Sequence, residues 1–138
     1  MSQRISLRKQ LPDAYQALTA LHETVGAAAT RTRLDPKLIE LVRLRVSQIN
    51  GCAFCTDMHS RDARKLGEVE RRLYLLPVWR ETDLYSRPER AALAHAEAMT
   101  RLPTAQDIPD EVYHDAVSAF HRAGVRRSGM GDNSDQCL

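Results

Sequence analysis

Apolar side chains recur at three- and four-residue spacing along nearly the whole chain, and no segment alternates with period two. This pattern predicts an all-α fold without strands. A first helix is predicted over about residues 14–29, with Tyr15, Leu18, Leu21, His22 and Val25 on one stripe. Asp35-Pro36 reads as an N-cap followed by proline at the first helical position. The helix it opens carries Leu38, Ile39, Leu41, Val42, Val46 and Ile49 and is interrupted at Asn50-Gly51. A third helix is predicted from near Cys52 to about Leu66, with Gly67 as its stop. A short helix follows over residues 69–79, with Leu73, Leu76 and Val78 apolar. Ser86-Arg87-Pro88-Glu89 is a capping box that opens an alanine-rich helix ending near Arg101, before Pro103. Pro109 opens the last helix, with Val112, Ala116, Val117 and Phe120. The expectation is a single domain of about six helices. Beyond Gly124 the side chains are mostly polar, and this stretch is expected to be a disordered tail.

Composition narrows the function classes. The chain has 138 residues, 43% apolar and 28% charged, as expected of a soluble globular domain. No apolar run approaches the ~18–20 residues that a membrane span needs. The N-terminus lacks the apolar core of an export signal, so a cytoplasmic location is expected. A net charge of +2 and an aromatic content of 5% give no footprint for nucleic acid. The three cysteines, Cys52, Cys55 and Cys137, are an odd count that does not suit a disulfide framework.

The informative segment is Asn50-Gly51-Cys52-Ala53-Phe54-Cys55-Thr56-Asp57-Met58-His59. At ~100° per residue, Cys52, Cys55 and His59 fall within about 60° of one helix face. Both thiols lie near the start of that helix, where unpaired N–H groups and the helix dipole favour thiolate over thiol. His59 is one turn beyond Cys55 and is placed to accept its proton. The result is an activated nucleophile with a second thiol ready to close a disulfide. Glu40 lies on the preceding helix, with Arg43 and Ser47 on the same polar stripe. Where the two helices pack side by side, Glu40 can hold His59 as the third member of a nucleophile–base–orienter set.

Other readings of these residues stand beside this one. The two cysteines can be inert buried thiols, and His59 or Glu40 taken alone is an ordinary surface or core residue. Cys52, Cys55, His59 and Glu40 also have the right ligand count for zinc, as in a zinc-stabilised helical binding protein. No second C-x-x-C or H-x-x-x-H supports that site, and it ranks lower. Thr56 after Cys55 excludes a c-type haem, and the missing βαβ pattern argues against a thioredoxin fold. His22, His95, His114 and His121 have no motif around them, and Trp79 reads as a core or interface residue.

Glu40, Cys52, Cys55 and His59 match the motif E-x11-C-x2-C-x3-H, and the chain resembles the AhpD-like alkylhydroperoxidases of the carboxymuconolactone decarboxylase superfamily. The segments INGCAFCTDMHSRDARKLGE, LYLLPVWRET and SRPERAALAHAEAMTRL also resemble family members, and the likeness covers about residues 10–121. It implies an all-helical AhpD-like domain over those residues, assembled into homotrimers or homohexamers. It implies thiol peroxidase or disulfide reductase activity without a bound cofactor, the Cys52–Cys55 disulfide being the redox group. By the family mechanism Cys55 attacks an organic peroxide, Cys52 resolves the sulfenic acid, and His59 with Glu40 relays the proton. A dithiol reductant, lipoyl or thioredoxin-like, restores the thiols. A redox-sensing or interaction module with little turnover is the alternative from another class.

The chain departs from that family in two places. The best-known members carry histidine between the cysteines, where this chain has Phe54. Relatives also continue after the last predicted helix with a segment resembling VDL…IATINAWNR. Here His121-Arg122-Ala123-Gly124-Val125 leads instead into a polar tail, so residues 122–138 are atypical. A shift of one nucleotide after about Phe120 is compatible with T-G-Q-A-F-V-D-L-G-W-A-I-T-R-I-N-A, which resembles the missing helix. A frameshift is therefore the expectation, with Cys137 then having no role, and the nucleotide sequence of the gene tests it.

Overall fold

The computed structural model describes residues 6–121, and within them every regular element is helical. The chain divides into two compact units, residues 1–36 and 37–138. The expected C-terminal tail and the frameshifted segment lie outside the described residues.

The first unit contains α1 (Leu7–Gln10) and α2 (Pro12–Arg31). Leu11-Pro12 separates them: proline lacks an N–H and fits the first turn of a helix. At its far end the chain turns through Arg33 in the left-handed region, φ +57°. Arg33 N–H donates to Thr30 and Leu34 N–H to Ala29, the paired bonds of a Schellman stop. No residue of α2 is buried, and Leu18, Leu21 and Val25 are all more than half exposed.

The second unit holds α3 (Pro36–Ile49), α4 (Ala53–Lys65), α5 (Glu70–Leu75), a 3-10 helix (Leu76–Glu81), α6 (Arg87–Thr100), α7 (Leu102–Ala105) and α8 (Asp110–His121). Its core is built from Leu41 and Leu44 of α3, Ala63 of α4, Leu73 of α5, Leu76 and Trp79 of the 3-10 helix, Tyr85, and Leu93 of α6. On α3 the buried Leu38, Leu41 and Leu44 follow three-residue steps and form its core-facing stripe. Helix α8 packs on α6.

Two features of this unit differ from the sequence expectation. The helix expected over 69–79 changes character after Leu75, just before Pro77, and the chain continues as 3-10 with a kink at Val78, φ −117° and ψ 29°. Proline removes one backbone donor from the α-helical ladder there. A short helix, α7, also follows Arg101 and ends at Gln106 in a left-handed conformation, with Gln106 N–H bonded to Leu102. With α1, it raises the number of helices above the expected six. The capping box of α6 is formed as expected: Ser86 N–H and Oγ both bond Glu89 Oε2, at 2.7 and 2.8 Å.

Two Schellman stops shape the α3–α4 hairpin. At the end of α3, Gly51 N–H bonds Gln48 and Cys52 N–H bonds Ser47. Gly51 sits at φ +62°, where an L side chain is strained. At the end of α4, Gly67 N–H bonds Arg64 and Glu68 N–H bonds Ala63. The connection between the helices is only Asn50, Gly51 and Cys52, so α4 folds back along α3. Lys37 at the start of α3 donates to the Gly67 carbonyl beyond the end of α4, at 3.1 Å, closing the other end of the pair.

Candidate active site

The tight turn at Gly51 makes Cys52 serve two helices. Its N–H ends α3, and its side chain caps α4, Sγ accepting from Cys55 N–H at 3.3 Å. Cys52 and Cys55 are joined as a disulfide with Cα atoms 5.4 Å apart, an ordinary separation for such a bond. Both cysteines are half-buried. Phe54 between them is 73% exposed.

His59 follows Cys55 by one turn of α4 and lies on the same side of the helix. The antiparallel hairpin brings it against Glu40 of α3, whose Oε2 is 2.8 Å from His59 Nδ1. Glu40 is buried, and the His59 side chain is largely so. A carboxylate can only accept. Against ionised Glu40, Nδ1 therefore carries the hydrogen, and Nε2 holds the lone pair of the neutral ring. The other carboxylate oxygen, Oε1, accepts from Arg43 NH1 at 2.8 Å. Ser47, next along this stripe, donates its hydroxyl to the Arg43 carbonyl at 2.7 Å.

The four residues singled out from the sequence thus form two pairs on one hairpin: Cys52 and Cys55 bonded to each other, and Glu40 bonded to His59 across it. Two other charged residues are less legible in the sequence. Arg43 shares the polar stripe of Glu40, and its bond to Glu40 follows from their i,i+3 spacing. Glu97, in an alanine-rich helix, carries no signal in the sequence. It is 1% exposed and accepts from Arg45 Nε at 2.6 Å, Trp79 Nε1 at 3.0 Å, Arg101 NH1 at 3.2 Å and Arg80 NH1. Burial pushes the Glu97 carboxyl up, but the bonds from Arg80, Trp79 and Arg45 outweigh it and hold the group at about 2. Arg45 lies on α3, so this junction ties the helix that carries Glu40 to the 3-10 helix and α6. Trp79 is a core residue, with the guanidinium groups of Arg80 and Arg90 against its ring at 4.1 and 5.2 Å.

Among the described residues, no three or more His, Cys, Asp and Glu side chains converge as metal ligands. His22 and His114 are exposed, and half-buried His95 lies near the Tyr113 ring, with centroids 6.5 Å apart.

Residues 12–98 match the model of the carboxymuconolactone decarboxylase family. The chain belongs to that family. The matched region contains the whole Glu40–His59 hairpin. Among relatives of this carboxymuconolactone decarboxylase family member, the uncharacterized protein YdfG of Bacillus subtilis (strain 168) is 44% identical over 115 residues. That match covers 83% of this chain and 74% of YdfG. The uncharacterized protein YnjA of Escherichia coli (strain K12) is 35% identical over 77 residues, 56% of this chain and 42% of YnjA. A crystal structure from Agrobacterium tumefaciens superposes with a TM-score of 0.77 at 36% identity, covering 86% of this chain and 77% of that one. It is of a protein of unknown function, described as a candidate antioxidant defence protein AhpD. The family and this structural likeness agree with the all-α fold expected from the pattern of the chain and with the AhpD-like domain that its resemblance implies.

Proposed function

We propose that this protein is a thiol-dependent peroxidase that reduces an organic hydroperoxide through Cys52 and Cys55. The observation that carries the reading is the Glu40–His59 hydrogen bond one helical turn from a disulfide-forming pair. Membership of a family with an AhpD-like structural neighbour supports the same reading.

In the reduced protein, His59 Nε2 takes the Cys55 proton, and Glu40 stabilises the imidazolium through Nδ1. The start of α4 favours the thiolate. The Cys55 thiolate attacks the distal peroxide oxygen, and the O–O bond breaks. The alkoxide leaves as the alcohol with the proton from His59, and Cys55 becomes a sulfenic acid. The Cys52 thiol then attacks the Cys55 sulfur, expels water and closes the disulfide. An external dithiol, lipoyl or thioredoxin-like, reduces it again and is itself oxidised to a disulfide. Phe54, exposed between the cysteines, stands where such a partner would approach. A cytoplasmic homotrimer or homohexamer is part of this reading. The apolar stripe of α2, with Leu18, Leu21 and Val25 exposed, is the kind of surface that further copies would bury. No helix among the described residues is long and apolar enough to cross a membrane.

The test is mass spectrometry of the peptide holding both cysteines, after reduction, exposure to an equivalent of cumene hydroperoxide, and alkylation. Rapid loss of two hydrogens, with cumyl alcohol formed in equal amount and both abolished by Cys55→Ser, is expected. Two alkylated thiols after prolonged exposure would rule the reaction out. Sustained turnover with dihydrolipoamide separates a peroxidase from a redox sensor that reacts once.

A further inference from the structure

The Glu40 carboxylate is held from two directions. Oε2 faces His59 Nδ1 and Oε1 faces Arg43 NH1, each at 2.8 Å. Its side chain is 10% exposed, whereas that of Arg43 is 27% exposed. A nearly buried anion is thus matched by a cation that still reaches water. Removing one partner of such a pair leaves a buried charge uncompensated. A lone carboxylate with one partner can also turn about its last torsion, which is broad and lacks sharp rotamer wells. With both oxygens engaged, that freedom is gone. The arginine's own backbone is further tied by Ser47, whose hydroxyl bonds the Arg43 carbonyl.

We infer that Arg43 is a positioning residue for the thiol chemistry: it clamps Glu40 so that Oε2 stays on His59 Nδ1. It leaves Nε2 as the nitrogen that exchanges a proton with Cys55. The inference rests on the relay proposed above. Arg43 makes no contact with the reacting sulfur in this scheme and acts only through Glu40.

The experiment is the alkylation rate of reduced Cys55 by iodoacetamide across pH, in a Cys52→Ser background. It compares the unaltered site with Arg43→Gln, Arg43→Lys, Glu40→Gln and the Glu40→Gln/Arg43→Gln pair. Arg43→Gln is expected to slow alkylation about tenfold at neutral pH, the scale of removing a group that orients a functional side chain. The pH midpoint of the rate is expected to move upward. Arg43→Lys keeps a cation and recovers much of the loss. In the Glu40→Gln background, Arg43→Gln causes little further slowing, because a residue that acts through another has no effect once that other is gone. Equal slowing in both backgrounds would overturn the inference, as would an unchanged rate and midpoint in Arg43→Gln while Glu40→Gln is slow. If Glu40→Gln is itself as fast as the unaltered site, the relay fails and the role of Arg43 falls with it. Should Arg43→Gln not fold, Arg43→Met, which keeps the stem and removes the guanidinium, answers the same question: slowing beside Glu40 and none beside Gln at position 40.

Discussion

Glu97 is the residue whose loss the structure prices most directly. It is fully buried, and its two oxygens collect bonds from three guanidinium groups and the Trp79 indole. Burial alone would raise its carboxyl; the bonds from Arg80, Trp79 and Arg45 instead hold it at about 2, against an ordinary 4.5. At 1.36 kcal/mol for each tenfold change in proton affinity, that difference is about 3 kcal/mol in favour of the folded chain. The folded value lies below the unfolded one. The contribution is therefore complete above about pH 4.5 and is lost as pH falls through about 2. Glu97→Gln mimics the protonated acid with nearly the same shape. Urea unfolding at pH 7 should find it about 3 kcal/mol less stable than the unaltered chain, and the gap should shrink to about half or less by pH 3. Glu89 and Glu70 are also held low by their partners, and both lose stability in acid in the same sense. Comparing the two proteins at each pH cancels those contributions. A gap under about 1 kcal/mol at pH 7, or one that does not close in acid, would refute the reasoning, since an exposed ion pair is worth no more than that.

Three further outcomes follow from the fold. Gly51→Ala should cost about 1 kcal/mol in urea unfolding and no more, because φ is +62° but nothing lies within 4 Å of the added Cβ. A much larger loss would mean that the turn is held by more than backbone conformation. Leu41→Ala removes a fully buried side chain of the α3 stripe and should cost about 3 kcal/mol, read from the urea midpoint at constant slope. Ser86→Ala breaks the capping box of α6 and should cost about 1 kcal/mol, seen as a lower melting temperature.

How much of this was legible in the chain itself depended on how far apart the partners lie. Cys52, Cys55 and His59 share one helix, so 3.6-residue arithmetic alone put them on one face. Glu40 lies on another helix, and spacing could offer it only as a possibility. What joins it to His59 is the length of the turn. A three-residue connection with a left-handed glycine reverses the chain, and Lys37 bonded to Gly67 fixes the far end. The capping box and the glycine stops were equally local and came out as read. Pro77 was visible, yet the periodicity of the apolar residues around it masked the change to 3-10 geometry.

Glu97 shows where local reading stops. Its bonds reach 52 residues back to Arg45 and 18 back to Trp79. A glutamate in an alanine-rich helix looks the same in a sequence whether it faces water or three arginines. Arg45, Arg80 and Arg101 converge on this one acid, with Arg80 and Arg101 still about half exposed. Arg43 does the same for Glu40. Both buried carboxylates of α3 and α6 are therefore neutralised by guanidinium groups that span from the interior to water, a task suited to a long, always-charged and forked side chain. At Glu97 that arrangement holds the helices together. At Glu40 the second oxygen is left to a histidine, and the proposed relay rests on that one difference.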